Sequence, residues 1–321
     1  MTAKLLSFVI PAYNEEDSVD KLFEALTRLF AELAPKYDCE AVIVENGSHD
    51  RTYEKLLAIH AQDARFKVLK LARNFKTDGG MTAGLHYARG DAAILMCADL
   101  EDPPEMVPVF LQKWEEGYHN VYGVIKRRQG TWLRKLNSKI FYWLINKLTH
   151  GLIPRNASDF RLIDRRLYKV LNTLQERNRL LRGIVAWTGF KSIGVPFNRG
   201  TREAGISKAY TLHVIQLAIR GILSFSYVPL RAAFLLGILL AAGSFVAIGI
   251  IILKYLFWGA PVRGYSSTLC LILMLFGFVF MILGIMSEYI AMIFEEVKGR
   301  PNFIVEDEVG FKPALPGRGE A

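Results

Sequence analysis

Residues 99–105 read D-L-E-D-P-P-E and follow directly on the apolar run A-A-I-L-M at 92–96. Carboxylates at the C-terminal end of a buried strand stand where open α/β sheets bind their ligands. Outward from this point, the first hundred residues alternate short apolar runs with longer amphipathic ones. Residues 5–10, 41–44, 68–71 and 92–96 are predicted buried strands, while Val19, Leu22, Phe23, Leu26, Leu29, Phe30 and Leu33 keep helical spacing. That alternation predicts a parallel sheet covered by helices. The loops after these strands are polar and turn-rich: P-A-Y-N-E-E from Pro11, E-N-G-S-H-D from Glu45, R-N-F-K-T-D-G-G from Arg73, and the acidic turn itself. Four such loops on one edge outline a nucleotide pocket.

The chain has 321 residues, enough for one sizeable α/β domain with appended elements. Lys and Arg number 40 against 31 Asp and Glu, and the excess is concentrated. Between Lys126 and Lys208 there are 19 basic and 4 acidic residues. Such a stretch suits nucleic acid, anionic headgroups or substrate phosphates, and the apolar segments that follow favour lipid and phosphate over nucleic acid. Cys39, Cys97 and Cys270 are scattered, with no paired spacing for a disulfide framework or a zinc site. The first apolar run is short and ends at Pro11, so it reads as a strand and not as a cleavable signal.

Further on, Leu133, Leu136, Ile140, Leu144 and Leu148 recur at intervals of three and four, with Trp132, Trp143 and four basic residues among them. This pattern over 131–150 fits a helix lying in a membrane interface, and equally a surface helix packed on the sheet. Residues 207–229 are expected to form a similar juxtamembrane helix. Residues 232–253 and 264–287 carry no charge and number 22 and 24, against the ~20 needed to cross a bilayer. A two-helix transmembrane hairpin within 230–290 is expected, leaving a catalytic domain over 1–206 and a cytoplasmic tail over 291–321 that is flexible after Pro301. The flanking Lys and Arg lean mildly toward cytoplasmic termini and an integral membrane protein of an inner or plasma membrane. Gly237, Ala241, Ala242, Gly243 and Gly249 permit close helix packing, within the hairpin or between protomers of a homo-oligomer.

Asp99 and Glu101 are two residues apart, so in an extended segment both face one side and can share a hard divalent cation. A polar turn with solvated acids would look the same, but the place after a buried strand favours the cation. Glu45 could accept an N–H from a uracil or guanine edge, with Gly47 letting the backbone turn close to the ligand. Ser48 or Asp50 could equally cap the next helix. Asp159 and Arg161 join an acid to a guanidinium. Asp159 could hold or deprotonate an acceptor while Arg161 binds a phosphate, or the two could form a structural ion pair. Arg127, Arg128, Arg199, Arg202 and Lys208 are a solvated basic face by default, yet a diphosphate donor beside a phosphorylated lipid needs several such charges.

These residues resemble family 2 glycosyltransferases of the polyisoprenyl-phosphate type, similar to dolichol-phosphate mannose synthase and bacterial undecaprenyl-phosphate glucosyltransferases. The matching pieces are S-F-V-I-P-A-Y-N-E-E from Ser7, E-N-G-S-H-D from Glu45, R-N-F from Arg73, A-D-L-E-D-P-P-E from Ala98, D-F-R-L-I-D-R from Asp159 and G-I-S-K from Gly205, followed by the apolar hairpin. The resemblance implies a GT-A fold, which is a Rossmann-like nucleotide-binding α/β domain. It also implies a nucleotide-sugar donor, preferably a UDP-sugar, a divalent cation (Mg2+ or Mn2+), and transfer with inversion to a polyprenyl phosphate such as undecaprenyl phosphate at a lipid membrane. Carried over residue by residue, Pro11, Tyr13, Glu15, Glu45 and Asp99 would line the donor pocket. Asp99 and Glu101 would hold the metal, and Asp159 would be the catalytic carboxylate. Arg127, Arg128, Arg161, Arg202 and Lys208 would surround phosphates.

Three departures stand out. The family usually has Asp-Asp-Gly-Ser where this chain has Glu45-Asn46-Gly47-Ser48, Asp-Ala-Asp where it has Cys97-Ala98-Asp99, and Asn-Phe-Gly-Lys where it has Asn74-Phe75-Lys76-Thr77. Cys97 is a poor substitute for a hard oxygen ligand, and Glu101, where relatives often have Gln, restores a negative charge. The alternative to an active transferase is a catalytically degenerate membrane protein that binds nucleotide-sugar or lipid phosphate. A polymerising synthase is disfavoured, since no Q-x-x-R-W motif is present.

Overall fold

The computed structural model describes residues 3–126, 156–177, 179–199, 228–258 and 264–311. The expected helix at 131–150 and that at 207–229 up to residue 227, with Arg127, Arg128, Arg202 and Lys208, lie outside the described residues. The described chain forms two compact units, one built on a sheet and including the stretch from Arg300, the other holding two long helices.

The four predicted strands appear as β1 (Lys4–Ala12), β2 (Tyr37–Glu45), β3 (Phe66–Leu71) and β4 (Ala92–Leu95). Their apolar runs are buried on both faces, as strands of a covered parallel sheet must be. The predicted helix is α1 (Val19–Leu33), which buries Val19, Leu22, Leu26, Leu29, Phe30 and Leu33 and ends just before Pro35. Phe30 stacks on Phe66 (centroids 5.4 Å apart) and packs on Phe8 of β1 (5.0 Å), tying the helix to the sheet. Next come α2 (Thr52–Gln62), α3 (Lys76–Tyr87) and α4 (Val107–Glu115), then β5 (Asn120–Ile125), β6 (Ala157–Asp164), α5 (Arg165–Thr173), α6 (Leu181–Trp187) and β7 (Ser192–Phe197).

With β8 (Val305–Val309), the strands order as β7-β5-β6-β4-β1-β2-β3-β8. β1 is parallel to both β2 and β4, so the chain builds outward on one side through β2 and β3 and then crosses to the other side of β1. The crevice at that switch point, outside the C-terminal ends of β1 and β4, is where an open α/β sheet binds ligand. β6 runs antiparallel to β4.

β8 corrects the expectation of a flexible tail after Pro301. It pairs antiparallel with β3, and Phe303, Val305 and Phe311 pack on Val42, Val44, Leu69, Leu71 and Ala83. The outward residues are acidic and find partners on the domain: Lys70 Nζ meets Glu306 at 2.7 Å, Tyr53 donates to Asp307 at 2.6 Å, and Tyr87 donates to Glu308. A charged outer strand also protects the sheet edge from pairing with other chains.

The second unit holds α7 (Val228–Trp258) and α8 (Tyr265–Val297), which contain the two uncharged stretches. Within α8, Met274–Val297 is 24 residues of mean hydropathy 2.0, long and apolar enough to cross a membrane.

Candidate active site

The loops after β1 and β2 are laced together. In register, Pro11 lies opposite Val44 and Ala12 opposite Glu45. The Asn14 N–H donates to Ser48 Oγ (3.0 Å), the His49 N–H to Asn14 Oδ1 (2.9 Å) and the Glu15 N–H to Thr52 Oγ1 (2.9 Å). Pro11, Tyr13, Glu15 and Glu45 therefore belong to one loop cluster on the binding edge. Tyr13 is exposed, with its ring edge-on to His49. Glu45 is buried, and its Oε1 accepts the Ser48 N–H at 2.5 Å, so at least one oxygen braces the loop. Asp50, just before α2, accepts from the Thr52 N–H and hydroxyl. Burial pushes its carboxyl up, but the bonds from Thr52 together with that from the Glu16 N–H outweigh it and hold the group below the usual range.

Asn46 has a role that its departure from the family pattern did not suggest. Its Oδ1 accepts the Phe75 N–H and its Nδ2 donates to the Lys76 carbonyl, both at 2.9 Å. A carboxylate could make only the first of these bonds, because it has no proton to give. The amide thus clasps the start of α3, where Lys76 sits at φ 63. Next to it, Gly47 is at φ 71, and a Cβ there would come within 2.6 Å of the Arg73 carbonyl carbon. Only glycine allows the two loops to approach this closely.

The acidic turn does not run extended, which corrects the geometry expected from the two-residue spacing. Leu100 adopts φ 55 and Asp99 Oδ1 accepts the Glu101 N–H at 3.2 Å, so a turn, not strand alternation, relates the two carboxylates. Glu101 meets Arg199 at 3.0 Å, and the same guanidinium lies 3.9 Å from Asp102. Asp102 is buried; its Oδ2 accepts the Cys97 N–H at 3.4 Å, and its Oδ1 has no hydrogen-bond partner among the described residues. Burial pushes the Asp102 carboxyl up to about 6, with Arg199 opposing. Burial, then Asp102, Asp99 and Asp159, push the Cys97 thiol well up, and sulfur is a ligand for softer metals than a hard divalent cation.

Among the described residues, no three His, Cys, Asp or Glu side chains form a cation cage. The donor set nonetheless fits a hard divalent ion. Asp99 and Glu101 would offer carboxylate oxygens, the Oδ1 of Asp102, without a hydrogen bond, lies buried in the same turn, and Mg2+-type sites commonly combine one or two carboxylates with substrate phosphates and water.

Opposite this turn stands Asp159. β6 pairs with β4 so that Arg161 lies across from Leu95, and Asp159, two residues earlier, extends past the end of β4 beside Cys97. Arg182 of α6 grips its carboxylate with both arms, Nε to Oδ1 at 3.1 Å and Nη2 to Oδ2 at 2.6 Å. Arg161 is placed differently from the phosphate ligand expected. Its side chain is 3 % exposed, and it donates to the carbonyls of Ser158 (2.8 Å) and Asp159 (3.3 Å), with its guanidinium 4.0 Å from the Asp159 carboxylate. Burial draws it down to about 10, so it remains a cation behind Asp159.

Asp78, at the third position of α3, accepts the Leu181 N–H at 3.2 Å, one residue before Arg182. Burial, then the nearby Asp159, push its carboxyl up to about 6. A carboxyl raised in the folded state favours folding below its unfolded value and loses that contribution as pH climbs through the folded one. Asp78→Asn keeps the acceptor for Leu181 without the charge. Between about pH 4 and pH 7 the wild type is expected to lose about 2 kcal/mol relative to this variant, a shift of about two units discounted for partial exposure. Denaturant melts of both proteins across that range check it, and parallel curves would refute it.

Asp78 and Arg182 were not legible as site residues in the sequence. Arg182 lies 23 residues beyond Asp159 in a run, R-L-L-R-G, that carries no motif. Arg199 did stand out as part of a basic cluster.

The sequence profile described as Glycosyl transferase family 2 matches residues 7–171. An uncharacterized glycosyltransferase of Synechocystis is 38 % identical over 96 % of this chain and 96 % of its own length. The SfII prophage-derived bactoprenol glucosyl transferase of Shigella flexneri is 36 % identical over 94 % of this chain and 97 % of its own. Among solved structures, glucosyl-3-phosphoglycerate synthase from Mycobacterium tuberculosis aligns with a TM-score of 0.48 at 20 % identity, covering 70 % of this chain and 80 % of that one. On the profile match and the full-length relatives, together with the acidic turn and carboxylate at the switch point, this chain is a glycosyltransferase and belongs to glycosyl transferase family 2.

Proposed function

We propose that the enzyme moves a sugar, with inversion, from a UDP-sugar to the phosphate of a membrane polyprenol such as undecaprenyl phosphate. The observation that carries this reading is the arrangement at the switch point, where Asp159, in the grip of Arg182, lies close enough to Cys97 and to Asp102 of the acidic turn to act on them. Relatives whose names specify bactoprenol glucosyl transfer, aligned over nearly the whole chain, support the acceptor class.

Pro11, Tyr13, Glu15 and Glu45 bind the nucleotide on this reading, and Asp99 and Glu101 would hold a divalent cation, Mg2+ or Mn2+. When bound, that ion supplies charge neutralisation for the donor diphosphate. Arg199 orients Glu101 from the side. A phosphate oxygen of the acceptor forms the new bond to the anomeric carbon as the bond to the diphosphate breaks, and the electron pair leaves with the diphosphate. Since a phosphate monoester is largely ionised near neutrality, Asp159 has little need to act as a strong base. Its task is to orient the acceptor and stabilise the positive charge that develops on the sugar.

On the same reading α7 and α8 are two membrane spans forming a hairpin, with the catalytic domain and both termini cytoplasmic. Phe234, Leu239, Phe245, Leu256 and Phe257 on α7 and Phe280 and Ile290 on α8 are each at least 61 % exposed. Apolar surface of that extent calls for lipid.

The test is transfer of labelled sugar to undecaprenyl phosphate by the detergent-purified chain, with a panel of UDP- and GDP-sugars. Label is expected with one UDP-sugar, falling at least about a hundredfold with chelator. Nucleotide binding without transfer from any donor would instead favour a degenerate binding protein.

A further inference from the structure

Two guanidiniums lie against Asp159, and they differ in what can reach them. Arg161 is 3 % exposed and engaged with backbone carbonyls, whereas the Arg182 side chain is 27 % exposed and the Asp159 side chain 28 %. The Arg182–Asp159 pair is bidentate, both arms of the fork on both carboxylate oxygens. A phosphate monoester offers the same pair of oxygens at similar spacing and with more negative charge. Behind the pair, Asp78 holds the Leu181 N–H and thereby fixes the first turn of α6 on which Arg182 sits.

We propose that Arg182 is the receiver of the acceptor's phosphate, and that Asp159 occupies its fork until the phosphate arrives and takes over the two hydrogen bonds. The exchange releases the Asp159 carboxylate toward the sugar at the moment the acceptor is in place, so that binding and positioning are one event. It rests on the reading of a phosphate acceptor given above, and it assigns that contact to a residue on α6 instead of to Arg161.

The exchange makes the two side chains competitors, and a double-mutant cycle detects competition. The probe is farnesyl monophosphate added to the full-length protein in detergent, with glycerol 3-phosphate and inorganic phosphate as soluble comparisons and farnesol as the uncharged control. Asp159→Asn removes the competing charge and is expected to tighten farnesyl monophosphate binding about tenfold. Arg182→Met is expected to weaken it about thirtyfold or more. In the double variant the gain from Asp159→Asn should vanish, since the freed fork is gone.

If Asp159→Asn tightens binding equally in the Arg182→Met background, the effect is general charge repulsion and the exchange is wrong. Unchanged affinity in Asp159→Asn, or wild-type affinity in Arg182→Met, would overturn it as well. Should Arg182→Met fail to fold, judged by melting and nucleotide binding, Arg182→Lys completes the cycle, since it keeps the charge and loses the fork. It too is expected to lose affinity and to abolish the gain. The soluble probes separate this proposal from the acceptor assignment. An Arg182-dependent response equal for glycerol 3-phosphate and farnesyl monophosphate would leave the phosphate receiver standing while removing the preference for a lipid acceptor.

Discussion

Asp159→Asn is expected to lower sugar transfer by about 10²–10³-fold while leaving folding and nucleotide binding intact. The substitution keeps the shape of the side chain, and its amide oxygen can still accept from Arg182, so the loop should hold its place. What disappears is a full negative charge that, on the proposed reaction, stabilises the positive charge developing on the sugar as the donor bond lengthens. Neither of the two raised carboxyls near it is placed to replace it: Asp78 is tied to the Leu181 N–H, and Asp102 lies buried in the acidic turn with Arg199 near it. The deficit should appear in kcat, with the KM for donor nearly unchanged, because the proposed nucleotide pocket is built from other loops. Turnover within a few-fold of wild type would remove Asp159 from the reaction.

A chain ending at Gly299 is expected to lose its folded catalytic domain although every residue of the candidate site is still present. The missing segment supplies β8, which covers the open edge of β3, and Phe303, Val305 and Phe311, which seal the cluster of Val42, Val44, Leu69, Leu71 and Ala83. Three partly buried apolar side chains contribute roughly 4 kcal/mol at ~25 cal/mol per Å², a large part of the roughly 5–15 kcal/mol by which domains of this kind are stable. Polar ties go as well, including the bonds from Arg177 to the carbonyls of Arg300 and Pro301. The bared edge would then offer unpaired N–H and C=O groups to other chains. Aggregation on expression is the expected outcome, with Phe311→Ala as a milder version that lowers the melting temperature and retains transfer. A truncated protein with the wild-type melting temperature would show β8 to be an ornament of the sheet.

This dependence on the last described residues was invisible in the sequence for a physical reason. V-E-D-E-V is short, acidic and followed by Pro and Gly, and an edge strand needs only one apolar face, so its alternation is too brief to separate from a solvated tail. The central strands are the opposite case: they read as dense apolar runs, interrupted only by Ser7 and Lys70, and all four lie where those runs place them. The acidic turn was legible as a site because it follows such a run. Its geometry was not, since a left-handed Leu100 leaves no mark on spacing. Asn46 read as a weakened family motif, yet it is a two-way clasp, because only the fold brings Phe75 and Lys76 to it.

The sequence by itself determined the four central strands, the helix α1 and the family of the chain, and singled out one loop edge as the candidate site, all of which follow from periodicity and from motifs contiguous in the chain. Only the tertiary structure decided which charges meet. Asp159 is paired with Arg182 and not left to Arg161, Asp78 is drawn to α6, Glu101 to Arg199, and β8 to the edge of β3. Each of these pairings joins residues separated by 23 to more than 200 positions, and electrostatics act through space, on distances that chain order does not encode.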